Sequence, residues 1–177
     1  MKGIFRVSLF SRLFGKRSDD NAELRPLWHR IVELSRDPAW YADCRVADTV
    51  PGRFDAVTLV LCAVLLRMER DPALIPPSAR LTELFVDDMD GQLRQSGVGD
   101  IVVGKHIGRL MSVLGGRLGA YREGLAADND SVLGEAIDRN VSLADGGDPA
   151  PVAARFKALA QRIAALPADK LLAGDIG

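Results

Sequence analysis

Residues 54–68 read FDAVTLVLCAVLLRM, and the fold turns on whether this run is a helix or a strand. Its β-branched residues, Val57, Thr58, Val60 and Val64, would suit a buried strand. A strand needs partners, however, and no second segment of the chain has strand character to pair with it. The run is therefore expected to be a central helix buried on most sides. It is too short and too charged at its ends to span a bilayer, which takes about 20 apolar residues.

Outward from this run the apolar residues recur at helical spacing. Leu24, Leu27, Trp28, Ile31 and Leu34 predict an amphipathic helix over 21–36. Asp37-Pro38 stops it, because the residue before proline is pushed out of α geometry. A short helix is expected over 38–45, and Thr49-Val50-Pro51 opens the central one, with proline in the first turn where its missing N–H is harmless. Beyond the run, Asp71-Pro72 and Pro76-Pro77 are expected to frame a loop. Ser78 then caps a helix to about Ser96, with Leu81, Leu84, Phe85, Met89 and Leu93 on one face. Gly97-Val98-Gly99-Asp100 reads as a tight connection, Gly97 taking the left-handed C-terminal position and Asp100 the N-cap. The helix expected over 101–125 puts Val103, Ile107, Leu110, Met111, Leu114, Leu118 and Tyr121 on a core stripe. Its Gly115-Gly116 pair weakens it and would permit a close helix–helix approach. Helices are expected over 130–141, with Val132, Leu133, Ile137 and Val141, and over 150–165, with Val152, Phe156, Leu159 and Ile163. The whole reads as an all-α, single-domain helical bundle of about six to eight helices over residues 19–177, behind an N-terminal basic arm of residues 1–18.

Composition bounds what such a bundle does. At 177 residues the chain can bury a core without staples. Net charge is −1, so no overall field attracts nucleic acid. The charge is unevenly placed: residues 1–17 carry five Lys/Arg and no acid, while the remaining 160 carry a net −6. The arm reads MKGIFRVSLFSRLFGKR, with Arg6 and Arg12 interrupting the apolar residues and no small-residue cleavage site, so it is not a secretory signal. Phe5, Arg6, Phe10, Arg12, Phe14, Lys16 and Arg17 are candidates for peripheral contact with an anionic membrane face. A packed or loosely ordered tail is the alternative. Two cysteines, Cys44 and Cys62, suit a reduced cytoplasmic setting, and Cys62 reads as core.

Catalytic constellations are missing. His29 and His106 fit no metal spacing, and no GxSxG elbow occurs. Asp87-Asp88-Met89-Asp90 could hold magnesium and diphosphate only with a second aspartate cluster, which the chain lacks. Intrahelical pairing of Asp90 with Arg94 explains it more simply. Gly97-Val98-Gly99 with Gly104 is a partial phosphate-loop pattern between two helices, with Asp100 adding negative charge where an anion would sit. Neither catalytic residue, metal nor cofactor is expected, and no nucleic-acid partner. The chain reads as one that binds another protein.

Three blocks give that partner a candidate identity. Asp48-Thr49-Val50-Pro51-Gly52-Arg53-Phe54-Asp55 resembles the D-T-x-x-G-R-F-D signature of the ubiquinol–cytochrome c chaperone family. Asp88-Met89-Asp90-Gly91-Gln92-Leu93-Arg94, followed by Gly97-Val98-Gly99-Asp100 and Val103-Gly104-Lys105, resembles a second block, and Gly116-Arg117-Leu118 with Tyr121 a third. Ile31-Val32, Arg36, Pro38 and Tyr41 are similar to the family's first helix, and Leu13-Phe14-Gly15-Lys16-Arg17 looks like bacterial members. The likeness covers roughly residues 24–125, and Val60, Gln95, Ser96, His106, Gly115 and Gly119 depart from the pattern. The resemblance implies a helical, non-catalytic assembly factor. It would bind a newly made respiratory-chain subunit, cytochrome b, together with a small helical partner, on the cytoplasmic side of the membrane. A lipid- or quinone-binding protein, or an isoprenoid-acting enzyme, is the alternative. Under the resemblance Asp48, Arg53, Asp55, Asp90, Arg94, Asp100 and Arg117 either line a client groove or form a buried network that fixes helix packing. Substituting Arg53 or Arg94 with Ala separates the two: unfolding means structure, and lost capture by a folded variant means a groove.

Overall fold

The computed structural model describes residues 21–95 and 100–177, and the side chains of residues 21–91 and 108–177. The run that opened the sequence is a helix, α3, Val50–Met68, preceded by α1, Arg25–Ser35, and α2, Pro38–Ala42. After a 3-10 turn, Pro72–Leu74, come α4, Ile75–Gln95; α5, Asp100–Ala126; α6, Asp130–Asn140; α7, Pro149–Ala164; and α8, Ala168–Leu172. The all-α bundle expected from periodicity is the observed architecture.

The middle of α3 is buried without a break from Asp55 to Leu66, so it has no solvent face. Helices α1, α5 and α7 surround it. Leu27, Ile31, Leu59, Leu61, Leu133, Phe156 and Ile163 are each fully buried in the resulting core. Each such side chain stabilises the fold by about 1.5–3 kcal/mol relative to exposure. Cys62, expected in the core, is there, and burial pushes its thiol up to about 12.

Side chains at the turns fix the path of the chain. Asp37 caps α2 by accepting from the Ala39 N–H. The Trp40 indole N–H and the Tyr41 hydroxyl then donate back to the Leu34 and Ser35 carbonyls, 3.0 and 2.8 Å away. Those carbonyls belong to the last turn of α1, where no further helical N–H is available. Arg155 from α7 lies over Trp40, 4.8 Å from its ring centre, and pairs with Asp37. At the other end, Gly174 takes φ 79° and sits against the Pro26 carbonyl, letting Ile176 tuck into the core.

Several local expectations are corrected. Pro76 and Pro77 are not a loop: they lie in the first turn of α4, where N–H groups have no intrahelical acceptor, so proline fits. Ser78 is accordingly no cap; its hydroxyl donates to the Ile75 carbonyl inside the helix. The short helix over 38–45 ends at Ala42. Gly115 and Gly116 face open space, and the close approach is made by Gly124, where a Cβ would stand 2.8 Å from Leu133 Cα of α6. Met111, placed on the core stripe, is 42% exposed, and Val132 is exposed as well. Helix α5 is about 40 Å long at 1.5 Å per residue. Its stripe is buried at Leu114, Arg117 and Tyr121, and opens at Met111, one turn earlier. The expected positions of Leu93, Val103 and Ile107, the Gly97 turn and the residue 1–18 arm lie outside the described residues.

Candidate functional site

The first signature block divides into an inward and an outward half at the start of α3. Thr49 is the N-cap, its hydroxyl oxygen accepting the Gly52 N–H at 3.3 Å. Gly52 is required by contact, not by its dihedrals: a Cβ there would lie 1.9 Å from the Ala47 carbonyl oxygen. Phe54 is half-buried and packs on Phe85 of α4 at 6.3 Å between ring centres. Asp55 is buried and is the centre of a polar junction. One carboxylate oxygen accepts from Arg117 Nη2 of α5 at 2.6 Å. The other accepts from both the N–H and the hydroxyl of Ser142, at 2.8 and 2.7 Å.

That junction ties three parts of the chain together. Ser142 lies in the connection between α6 and α7, whose Leu143 forms an antiparallel bridge with Val46. The Ala47 N–H donates to the Ser142 carbonyl and the Ala144 N–H to the Arg45 carbonyl, both at 2.8 Å. Arg45 takes φ 61° to make the bend. The side chains of Asp55 and Arg117 are only 7% and 10% exposed, so their charges are compensated by each other and not by water. Arg117 also lies over the Phe54 ring, 5.4 Å from its centre. Its Nε and Nη1, and the hydroxyl of buried Tyr121, find no hydrogen-bond partner among the described residues. Tyr121 packs on Phe156 at 5.0 Å, and burial pushes its hydroxyl well above the usual phenol range.

The outward half is different. Asp48 accepts from Arg53 Nε at 2.6 Å, and both side chains are mostly in solvent. The hydrogen bond from Arg53 holds the Asp48 carboxyl below its ordinary range. Val50 stands between them at 85% exposure, unusual for a large apolar side chain at a helix start. In the second block, Asp88 is exposed and Asp90 half-buried on α4. Arg94, Gly97, Gly99, Asp100 and Lys105 lie outside the described side chains, as do Phe5, Arg6, Phe10, Arg12, Phe14, Lys16 and Arg17. Among the described residues, then, four of the charged set form a buried pair, Asp55–Arg117, and an exposed pair, Asp48–Arg53, with the half-buried Asp90 apart on α4. Ser142 escaped the sequence reading because nothing local marks it; its partner is 87 residues away.

Among the described residues no cluster of His, Cys, Asp and Glu is arranged to hold a metal ion, and no helix is long and apolar enough to cross a membrane. The profile of the family described as Ubiquinol-cytochrome C chaperone matches residues 42–176, which take in the cap, the junction and the bridge. The chain belongs to the ubiquinol–cytochrome c chaperone family. A solved structure, the crystal structure of the Cbp3 homolog from Brucella abortus, is similar along nearly its whole length. The TM-score is 0.78 and the identity 29%, with 96% of each chain covered. A search of curated proteins finds no match. Membership in a chaperone family assigns this bundle a protein-binding task in place of catalysis.

Proposed function

We propose that the chain binds newly made cytochrome b and holds it for assembly into the ubiquinol–cytochrome c reductase complex, working at the cytoplasmic side of the membrane. The observation that carries this reading is the division of the signature block. Thr49, Gly52, Phe54 and Asp55 have packing and hydrogen-bonding reasons to be what they are. Among the described residues the Asp48 and Arg53 side chains hydrogen-bond only to each other, mostly in solvent, beside a bare Val50, and a surface ion pair of this kind adds little to stability. Their place in a chaperone signature is better explained by a partner. The pair offers one donor fork and one carboxylate flanking an apolar side chain, a pattern suited to a polypeptide segment with mixed chemistry. We assign Asp48, Val50 and Arg53 to the client face, and Asp55, Arg117 and Ser142 to the support beneath it.

A photo-crosslinking residue at position 50 of the full chain, expressed in cells making the reductase complex, tests the assignment. Adducts with newly made cytochrome b are expected. Adducts confined to proteins outside the respiratory chain, or none while a position on α7 crosslinks cytochrome b, would overturn it.

A further inference from the structure

Helices α4 and α5 leave an open groove of about 420 Å³ between them, lined by Ala79, Thr82, Glu83, Val86, Asp87 and Met111. Glu83 and Asp87 stand exposed at its edge, and among the described residues no Lys or Arg lines it. Val86 and the exposed Met111 form its apolar part. On α5, Gly108 and Gly115 flank Met111 at helical spacing, and a Cβ at either would meet nothing within 4 Å. No side chain therefore flanks Met111 at those two positions, which leaves room beside it for an added segment.

We propose that the occupant of this groove is the chain's own N-terminal segment, residues 4–16. The segment has the complementary chemistry. Residues 1–17 hold all five of their charges as Lys or Arg, and Ile4, Phe5, Val7, Leu9, Phe10, Leu13 and Phe14 supply apolar surface. The rest of the chain is net −6, and Glu83 and Asp87 put part of that charge at the groove. It also leads into a helix that packs on α4. Helix α1 rests on α4 with the Trp28 ring 6.0 Å from Phe85, the residue before Val86. The five residues from Lys16 to Asn21 can span up to about 17 Å. A tethered segment meets its site at millimolar effective concentration, so even weak pairing is well populated. Docked, it covers Val86 and Met111 and neutralises Glu83 and Asp87. The inference does not rest on the client assignment above.

Limited trypsin digestion of the full chain, followed by mass spectrometry, reads the docking at Arg6 and Arg12. At low salt, cleavage there is expected to be about tenfold slower than in a synthetic peptide of residues 1–20, because cleavage tracks the undocked fraction. The double variant Glu83→Lys, Asp87→Lys should restore the peptide's rate with an unchanged circular dichroism spectrum. If that variant does not fold, Met111→Glu at its exposed site makes the same test. Wild-type cleavage at the peptide's rate would overturn the proposal. So would protection that survives both sets of substitutions, which puts the segment elsewhere on the body. Protection that rises with protein concentration would mean a second copy, and protection seen only with phosphatidylglycerol vesicles would mean a membrane surface; both overturn it.

Discussion

Replacing Asp55 with Ala probes the junction on which the signature block is built. In the native chain its carboxylate meets Arg117 Nη2 at 2.6 Å and takes two hydrogen bonds from Ser142. The substitution strands a guanidinium whose side chain is 10% exposed. Removing one partner of a buried pair costs about 3–5 kcal/mol. Within that sum, an orphaned Ser142 N–H would cost about 1–3 kcal/mol if sealed from water. Ser142 is half-buried, so water recovers part of it and the total should stay near the pair value. Against a typical total stability of about 5–15 kcal/mol, that is a large fraction. Urea titration followed by circular dichroism at 222 nm gives the number, provided the transition is two-state. A double-mutant cycle sharpens it. Asp55→Leu with Arg117→Met leaves no charge unpaired, and should be less destabilised than the two single variants summed, by about 1–3 kcal/mol. An Asp55→Ala variant within about 0.5 kcal/mol of wild type would refute the reasoning, because only an exposed or uncoupled carboxylate behaves so.

Gly52→Ala drives a Cβ into the Ala47 carbonyl, a backbone atom that cannot rotate away, and should cost about 1–3 kcal/mol. In a differential scanning calorimeter that is a fall of about 2–12 °C in Tm; an unchanged Tm would mean the contact relaxes freely. Cys62 is fully buried with its thiol pushed up to about 12, so native protein should react with a thiol reagent only at the rate of opening, and fully in urea. Glu69 is held below its ordinary range by the two hydrogen bonds from Arg122, at 2.8 and 2.7 Å. A depressed carboxyl stabilises above its unfolded pKa and loses that contribution as pH falls through the folded one. Glu69→Gln should therefore lower stability by about 0.2–1 kcal/mol at pH 7. Its urea midpoint should converge on wild type as the pH drops below the ordinary glutamate value of 4.5.

Much of this fold was legible because helices announce themselves locally. The uninterrupted burial of α3 follows from FDAVTLVLCAVLLRM, and Leu27, Ile31, Leu81, Phe156 and Ile163 are buried where periodicity put them. What was not legible depends on neighbours. The prolines at 76 and 77 read as a break, yet a first turn accepts them as readily as a loop does. Gly115-Gly116 and Gly124 are alike in sequence, and only the position of α6 decides which one matters. The same holds at the candidate site. Thr49 as N-cap and Pro51 in the first turn are local facts. The pairing of Asp55 with Arg117 spans 62 residues, and its second arm, to Ser142, spans 87. The division of the charged set into a buried and an exposed pair therefore had to come from packing.

The central claim is that the outward pair engages cytochrome b, and affinity purification tests it most directly. Full-length tagged wild type and Arg53→Ala would be recovered from membranes of cells assembling the reductase complex, with melting curves recorded for both. The account expects cytochrome b to be enriched with wild type and lost with Arg53→Ala, while the two melt alike. Recovery of no respiratory-complex subunit with wild type would contradict it, as would equal recovery of cytochrome b by both proteins.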